Sequence, residues 1–456
     1  MEGRRVSDSN GVPEQWRLGD AFVPKGRYVD REFLQLEYDR LFPKVWQMAC
    51  REEEIPDVGS YLEYKIGDQS IIVVRSGADR IQAFHNSCIH RGSRLIQHAG
   101  CATEFRCPFH GWRYSLDGKC TFIHFEEEFD HRPDEFKRLR DARCERWGGW
   151  VFVNMDRDAE PLLDWLDPLP KVLGPFEPER MRYAWHKRTI LPANWKTAID
   201  AFIEGYHTPA THPQYIRLSV NGTRDASPCS VDEYAFAPYN PTFTFRNCSR
   251  FVFGVREDAP VAGAAARGNP AQIRALIAYQ LDQLRALNNE HDLRAAEELL
   301  RIDAGDTPIY QVFGELRRKF AEEAGVAPPD LTLQQIAAGQ GDWHFHPTMV
   351  NLVEPGSILG YRSLPNGDDP DSCIFDVWSL YFWPEGGAPK VELEFVERWK
   401  DGDWGEVLTQ DFRNMGAVQQ GMHSLGFEGH WLNRKQEMSI HNAHRIADRF
   451  LFGVDA

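Results

Sequence analysis

Two short motifs in the first quarter of the chain carry residue types that bind iron and sulfur. Cys88 and His90 form a Cys-x-His pair, and Cys107 and His110 form a Cys-x-x-His pair. Two thiolates and two imidazoles suit a [2Fe-2S] cluster in which the cysteines bind one iron and the histidines bind the other. Replacing two thiolates by neutral imidazoles raises the reduction potential of such a cluster. The motifs therefore predict a centre that receives and passes on single electrons.

A structural zinc site is the main alternative, because zinc also accepts two cysteines and two histidines. Zinc fingers usually pair like ligands, with a Cys-x-x-Cys motif followed by two spaced histidines. Here each loop supplies one cysteine and one histidine, as a cluster with two unlike irons requires. The glycines in the loop sequences CIHRGS and CPFHGW favour tight turns around a cluster. The spacing therefore favours the iron-sulfur interpretation.

A second pair of histidines, His207 and His212, lies in the stretch NWKTAIDAFIEGYHTPATHP. Its apolar residues recur at helical spacing from Asn194 onward, so we expect a helix that reaches His207. Pro209 should end that helix, which would place His207 on its last turn and His212 on the loop that follows. Two imidazoles at such a junction can bind one metal ion.

The carboxylate that would complete this second site is predicted to be Asp411, in the helical pattern WGEVLTQDFRNMGAVQQGM. It falls within an apolar stripe formed by Val407, Met415, Val418 and Met422. A carboxylate that faces the core without a partner is costly, so a metal ion is a sufficient reason for its presence. A salt bridge to Arg413 or Arg362, or a helix face turned to water, would also explain it. Two histidines and one carboxylate on one face of an ion are the ligands of non-haem Fe(II) oxygenases.

The elements around these residues predict an α+β chain with two domains. Short apolar stretches between turns, such as SIIVVRS and WGGWVFVNM, predict a small β domain over residues 46–160. Residues 1–45 are predicted to form a helical segment that packs on the larger domain. That larger domain, 161–456, is expected to contain antiparallel strands, with a helical insertion of two or three helices at about 263–340.

Composition excludes several classes of function. The 456 residues include 52 Lys and Arg against 68 Asp and Glu, a net charge of -16, which argues against nucleic acid or an anionic membrane as the main partner. No apolar run approaches the length of a membrane span, and the polar start of the chain does not resemble a signal peptide, so we expect a cytoplasmic protein. Seven of the nine cysteines lie outside the cluster motifs without framework spacing, and we interpret them as reduced thiols.

Taken together, the motifs CIHRGS, CPFHGW and NWK...EGYH...H and the late helix with Asp411 resemble the Rieske non-haem iron oxygenases. The resemblance is to the α subunit, the catalytic terminal oxygenase of the aromatic-ring-hydroxylating systems. It implies a Rieske β domain followed by a larger catalytic domain whose central antiparallel sheet is covered by helices. It also implies a [2Fe-2S] cluster on Cys88, His90, Cys107 and His110, and mononuclear Fe(II) on His207, His212 and Asp411.

The same resemblance implies a role for Glu204, three residues before His207. A carboxylate there would bridge His207 to the cluster histidine, His110, of the neighbouring subunit in a ring-shaped trimer, and Asp200 is the alternative. It further implies a homotrimer or an α3β3 assembly, and NAD(P)H electrons that arrive through a separate reductase, with or without a ferredoxin. The expected reaction is the O2-dependent hydroxylation, cis-dihydroxylation or dealkylation of an aromatic or related hydrophobic ring compound.

Two features bear on the substrate. Ala201 and the segment HFHPTMV depart from the pattern that the family commonly shows near the pocket. The expected pocket lining is Phe202, Ile203, Val350, Leu352 and Trp378. The rival functions are a Rieske-type electron carrier, which would need only the first domain, and a zinc-bearing binding protein without oxygenase activity.

Overall fold

The computed structural model describes residues 11–131, 133, 137–221, 223–230, 240–252 and 269–454. It divides into two compact units, one from Gln35 to Trp165 and one that combines the residues up to Leu34 with those from Leu166 onward. The predicted boundaries fall after residues 45 and 160. The first ten residues of the predicted N-terminal segment, and residues 263–268 of the predicted insertion, lie outside the described residues.

The smaller unit is built from β-strands, as the short apolar stretches predict. The interior of the sheet is apolar, and Ile71, Ile72, Val73 and Val74 of one central strand are completely buried. In spatial order, the seven strands of the main sheet are Gln47–Arg51, Trp150–Asn154, Asp141–Trp147, Arg80–His85, Gln69–Gly77, Ser60–Ile66 and Gly100–Cys101. A second sheet contains Glu104–Arg106, Arg113–Ser115 and Cys120–Phe122.

The two cluster motifs lie in loops between these strands. Cys88 and His90 follow the strand Arg80–His85, while Cys107 and His110 lie between Glu104–Arg106 and Arg113–Ser115. Loops held by strands at both ends can carry ligands in a fixed arrangement. The small unit therefore has the element order needed to present both motifs.

The larger unit contains an eight-stranded sheet with helices. In spatial order its strands are Thr242–Thr244, Cys248–Phe251, Gly341–Phe345, Met349–Glu354, Ser357–Asn366, Asp369–Tyr381, Arg182–Leu191 and Glu394–Arg398. The last two strands pair in parallel and all other neighbours are antiparallel. A separate ribbon pairs Phe22–Pro24 with Gly429–Trp431. The predicted fold class, a central antiparallel sheet with helices, is confirmed.

The described α-helices occur almost entirely in the larger unit. They are Gly26–Val29, Arg31–Leu36, Leu162–Trp165, Leu169–Leu173, Trp195–Asp200, Thr208–Thr211, Pro213–Asn221, Pro270–Gln283, Glu290–Leu299, Ile309–Glu323, Leu333–Gly339, Gly405–Met422 and Met438–Leu451. No helix among the described residues is both long enough and apolar enough to cross a bilayer.

The stretch from 270 to 339 contains four helices, one more than the upper number that the sequence predicts. Asn289 and Thr332 cap two of them with their side chains, so the turns between helices are set by capping residues as well as by Pro and Gly. Three of these helices share an apolar core. This core is formed by Ile273, Ile277, Ala295, Ala296, Leu299, Phe313, Leu316 and Phe320.

Asn194 joins three parts of the larger unit at the start of the helix Trp195–Asp200. Its side-chain oxygen accepts from the backbone of Lys196 at 3.0 Å, which caps the helix. Its amide nitrogen donates to the carbonyls of Tyr28 and Pro370 at 2.8 and 2.9 Å. Because Asn194 is buried, no water can replace these bonds.

We expect Asn194→Ala to lower the free energy of unfolding by about 2 to 4 kcal/mol, since it removes a helix cap and two further buried hydrogen bonds. Chemical denaturation would measure the loss. The matched control is Asn269→Ala, which removes a cap bond of 2.9 Å from an exposed residue and should cost about 1 kcal/mol. Equal losses in the two variants would show that the buried contacts of Asn194 contribute nothing.

Candidate iron-sulfur and metal sites

The two cluster loops have matching backbone geometry. In the first, the amide of Gly92 donates to the carbonyl of Cys88 at 2.8 Å, and in the second, the amide of Gly111 donates to the carbonyl of Cys107 at 3.0 Å. Both glycines have φ near +70°, at 74° and 73°, a conformation that side-chain-bearing residues rarely adopt. The loops therefore turn back on their cysteines in the same way, as the predicted role of these glycines requires.

The four side chains separate into a buried thiol pair and an outer imidazole pair. Cys88 and Cys107 are each 2% exposed, and the Cys88 sulfur lies 3.0 Å from the hydroxyl of Tyr114. The rings of His90 and His110 lie 4.5 Å apart between centroids, and His110 is exposed. Like ligands are thus neighbours, although each loop contributes one of each kind. This is the division that a two-iron cluster with two sulfur and two nitrogen ligands needs.

The arrangement does not suit a single tetrahedral ion. Among the described residues, the only group of three or more His, Cys or carboxylate side chains whose ligand atoms lie within 4.8 Å of one another is His207, His212 and Asp411. The four loop residues do not converge in this way, whereas the ligands of a structural zinc ion must. The geometry therefore weighs against zinc at the loops and fits a cluster.

At the second site, the three predicted ligands come together. Asp411 Oδ1 lies 2.9 Å from His212 Nε2 and 3.7 Å from His207 Nε2. Atoms that bind one ion at about 2.1 Å are typically about 3 to 4 Å apart, so these three residues fit a mononuclear metal. Asp411 and His212 are buried, while the side chain of His207 is 26% exposed.

The predicted local structure around His207 is wrong. The helix ends at Asp200, residues 201–207 are not helical, and a short helix begins after His207 and covers Thr208–Thr211. Pro209 stands in the first turn of this short helix instead of ending a longer one, because proline is tolerated where no amide bond is required. At Gly205 the carbonyl accepts from Asn240 Nδ2 at 2.8 Å, outside any helix. The break lets both histidines turn toward Asp411.

Asp411 lies on the helix Gly405–Met422 as predicted, with its side chain in the buried face. Val418 is 45% exposed, although the sequence placed it in the apolar stripe. The buried face also contains Leu408, Phe412 and Gln419, so its centre is rotated away from Val418. The alternative partner Arg362 is held by Asp376 at 2.5 Å. Asp411 therefore faces the histidines and not an arginine.

Both histidines are oriented by a second contact on the ring nitrogen that faces away from Asp411. Glu204 Oε1 lies 2.5 Å from His207 Nδ1, and Gln410 Oε1 lies 2.7 Å from His212 Nδ1. Such acceptors take the proton on Nδ1, so each Nε2 atom faces inward and can bind a metal ion in place of a proton. Asp200 instead accepts from the hydroxyl of Tyr28 at 2.7 Å, so the structure brings Glu204, and not Asp200, to His207.

Sequence reasoning missed Gln410. It lies next to Asp411 in the chain, and its side chain meets His212 nearly two hundred residues away in sequence. A single glutamine on a helix carries no spacing signal of its own, so only the folded arrangement identifies it. Glu204 was implied by the family resemblance, and its Oε1 atom contacts His207 Nδ1 although residues 201–207 are not helical.

The site has a negative electrostatic character. Burial by itself would lower the pKa of His207, but Glu204, Asp411 and Asp342 outweigh it and raise that pKa to about 9. Carboxylates that hold a proton on a buried imidazole would also favour a metal cation in its place. The electrostatics therefore agree with the ligand distances.

A cavity of about 740 Å³ opens beside these residues and reaches beneath the helices of the stretch 270–339. The lining includes Phe202 and Leu352 as predicted, but not Ile203, Val350 or Trp378. Trp378 lies opposite Gly360 on the neighbouring strand. Gly360 stands between the lining residues Leu359 and Tyr361, and successive residues of a strand face opposite sides of the sheet, so Trp378 faces away from the cavity. The helices add lining residues that the sequence analysis did not include, among them Ile273, Ile277, Phe313 and Ile336.

Comparison with known protein families agrees with both sites. The model of the ring hydroxylating alpha subunit (catalytic domain) matches residues 176–452, and the model of the Rieske [2Fe-2S] domain matches residues 45–131. The first match alone covers more than half of the chain.

Several characterised relatives resemble part of the chain. The glycine betaine monooxygenase oxygenase subunit of Chromohalobacter salexigens is 36% identical over 221 residues, which is 48% of this chain and 49% of that protein. The anthranilate 1,2-dioxygenase large subunit of Acinetobacter baylyi is 31% identical over 206 residues, or 42% of this chain and 43% of that one. The matched segment thus spans about half the length of these relatives.

Solved structures share the fold over nearly the whole chain. A quaternary ammonium Rieske monooxygenase in complex with L-carnitine superposes with a TM-score of 0.59 at 17% identity, covering 94% of this chain and 95% of that one. Naphthalene 1,2-dioxygenase from Rhodococcus sp. superposes with a TM-score of 0.62 at 18% identity, covering 95% of each chain. These structures share the fold, and the match of the catalytic-domain model to residues 176–452 shows that the chain belongs to the Rieske-type ring-hydroxylating oxygenase α-subunit family.

Proposed function

We propose that the chain is the terminal oxygenase component of a multicomponent Rieske oxygenase, which oxidises a small organic substrate with O2. The observation that carries this proposal is the convergence of His207, His212 and Asp411 at the edge of a largely apolar cavity of about 740 Å³. A pure electron carrier needs neither a second metal site nor a cavity. A zinc-bearing binding protein has no use for the paired thiols and imidazoles of the cluster loops.

Each group of residues has a proposed part in holding a cofactor. Cys88 and Cys107 would hold one iron of the cluster and His90 and His110 the other. His207, His212 and Asp411 would hold mononuclear Fe(II). When bound, the cluster supplies single electrons and the Fe(II) supplies dioxygen activation. The electrons are proposed to come from NAD(P)H through a separate reductase, with or without a ferredoxin.

The protein's own contribution is orientation and exclusion of water. Glu204 and Gln410 hold the two imidazoles so that their Nε2 atoms face Asp411. Apolar residues of the sheet and helices keep bulk water from the reacting substrate. In a homotrimer or α3β3 assembly, Glu204 would also accept a hydrogen bond from His110 of a neighbouring subunit, which would connect the two metal sites. The exposed position of His110 supports this role.

Two substrate classes are compatible with the cavity. The predicted class, aromatic or related hydrophobic rings, is supported by the apolar lining and by the anthranilate and naphthalene dioxygenases among the similar proteins. The second class, small ammonium compounds that are hydroxylated or dealkylated, is supported by the glycine betaine and carnitine monooxygenases. The size of the cavity accommodates either class.

The first test is the metal content and colour of the purified protein. We expect visible absorption from a [2Fe-2S] cluster, acid-labile sulfide, and one further iron for each cluster. After anaerobic reduction, exposure to O2 with a substrate should reoxidise the protein and yield an oxygenated product. A colourless protein that contains zinc and no labile sulfide would contradict the proposal.

We expect Asp411→Ala to lose mononuclear iron while keeping the absorption of the cluster, because Asp411 is a ligand of one site only. Iron and labile sulfide analysis would separate the two sites. Arg413→Ala is the matched control, since Arg413 lies on the same helix and its side chain is exposed. Full iron content in Asp411→Ala would show that the third ligand is misassigned.

For Glu204→Gln we expect both metal sites to remain loaded, with substrate-dependent O2 uptake lowered about 10- to 100-fold. Gln keeps the size of the side chain but cannot hold the His207 ring through a charged acceptor. O2 uptake and metal analysis on the same preparation would check this. Asp200→Asn, whose acid contacts Tyr28 and not His207, should have a smaller effect. Normal turnover in Glu204→Gln would remove Glu204 from the proposed connection.

A further inference from the structure

Asp342 is an acidic residue that lines the cavity and is not one of the three predicted metal ligands. Asp342 lies on the strand Gly341–Phe345 and is 4% exposed. Its register neighbours on the two adjacent strands are Phe251 and Leu352, and all three line the cavity. Apolar neighbours on both sides give the sheet no structural reason for a carboxylate at this position.

The other buried or half-buried acids of the cavity have partners. Asp292 pairs with Arg317 at 2.6 Å, and Glu354 accepts from Gln340 at 2.6 Å. Within the part of the chain that the structure describes, the Oδ2 atom of Asp342 has no hydrogen-bond partner. An unsatisfied buried carboxylate destabilises the fold, so its presence indicates a partner from outside the chain.

Burial raises the pKa of Asp342 well above its usual value, and Glu354 adds to this effect, while His207 opposes it. His207 is the one basic side chain among the described residues that acts on Asp342. Among the residues that the structure describes, no arginine or lysine therefore acts on this carboxyl group. A cation that entered the cavity would lower the pKa of Asp342 again, because it would form an ion pair with the ionised carboxylate.

Aromatic rings lie on the same side of the cavity. Tyr361 is on the sheet face of Asp342, and burial together with Asp342 and Asp411 raises the pKa of its hydroxyl. Phe202 stacks on Tyr361 with 4.0 Å between ring centroids, and Phe251 faces Asp342 across the strands. Aromatic faces attract ammonium groups, most strongly where water is excluded.

We propose that Asp342, with the aromatic rings around it, binds the positively charged nitrogen of a small ammonium substrate and so determines substrate class. The inference rests on the proposed oxygenase function and deepens it. Asp342 lines the same cavity as His207, His212 and Asp411, so a nitrogen held there would share the cavity with the predicted metal ligands. A C–H bond on a carbon attached to that nitrogen would then be presented for hydroxylation, in which one oxygen atom of O2 enters the C–H bond and the other leaves as water, with two electrons from the reductase and two protons. Breaking the C–N bond of the hydroxylated N-alkyl group then gives an aldehyde, the free amine and a proton.

The test compares two probes of the same shape that differ in charge: choline and its neutral isostere 3,3-dimethyl-1-butanol. Binding to the purified holoenzyme is measured by calorimetry in the absence of reductant. We expect the wild-type protein to bind choline about tenfold or more tightly than the isostere. Asp342→Asn, which keeps the shape and removes the charge, should abolish that preference and leave affinity for the isostere unchanged.

Glu315→Gln is the matched control, because it removes an acid from the exposed rim of the same cavity. It should retain the preference for choline. Equal binding of both probes by the wild-type protein, no binding of choline, or an unchanged preference in Asp342→Asn would overturn the inference. If Asp342→Asn does not fold, equal binding of the two probes by the wild-type protein would still overturn the inference.

The proposed function is tested separately by product formation after reduction and exposure to O2. If the protein oxidises a neutral ring compound such as indole but does not bind choline selectively, the proposed oxygenase function is supported and the role of Asp342 is contradicted. If the protein binds choline selectively through Asp342 but contains no iron or labile sulfide, the cation site is supported and the proposed oxygenase function is contradicted.

Discussion

The carboxylate of Asp411 is buried beside two imidazoles, and much of the larger unit is arranged around this contact. Its Oδ1 atom lies 2.9 Å from His212 and 3.7 Å from His207, and no arginine in the described part of the chain pairs with it. A charged group in such a position requires a cation for its stability. If both imidazoles were protonated to supply this positive charge, they would repel each other. A divalent metal ion can instead bind the carboxylate and both imidazoles at once.

This constraint explains why the outer nitrogens of the histidines are also occupied. Glu204 and Gln410 accept at Nδ1 of His207 and His212, which leaves no rotation that would turn the lone pairs away. Gln214 in turn donates to Gln410 at 2.8 Å, so the orienting residues are themselves held. These contacts hold both imidazoles in the orientation that a shared metal ion requires, which lowers the cost of assembling the site.

The sequence predicted which side chains of the second site come together better than it predicted the backbone that carries them. Spacing identified the cluster loops because each ligand pair is local in sequence, and the helical stripe identified Asp411 because a buried acid is rare. The break after Asp200 was missed, since the contact between Gly205 and Asn240 that accompanies it joins distant parts of the chain. For the same reason the pocket lining was predicted only in part. Strand alternation turned Trp378 away, and helices remote in sequence supplied much of the wall.

Asp342 and Asp411 are similarly buried, at 4% and 5% exposed, but their surroundings differ. Asp411 meets two imidazoles whose orientation is fixed, whereas Asp342 meets phenylalanine, leucine and tyrosine side chains along one face of a sheet. A metal needs several ligand atoms that converge on one point, and among the described residues Asp411, and not Asp342, belongs to such a group. An ammonium group needs a single charge and apolar or aromatic walls, which Phe251, Leu352 and Tyr361 provide on the sheet face of Asp342. Two acids in one cavity can therefore hold different cations, because the neighbours of each acid, and not its charge, determine what it binds.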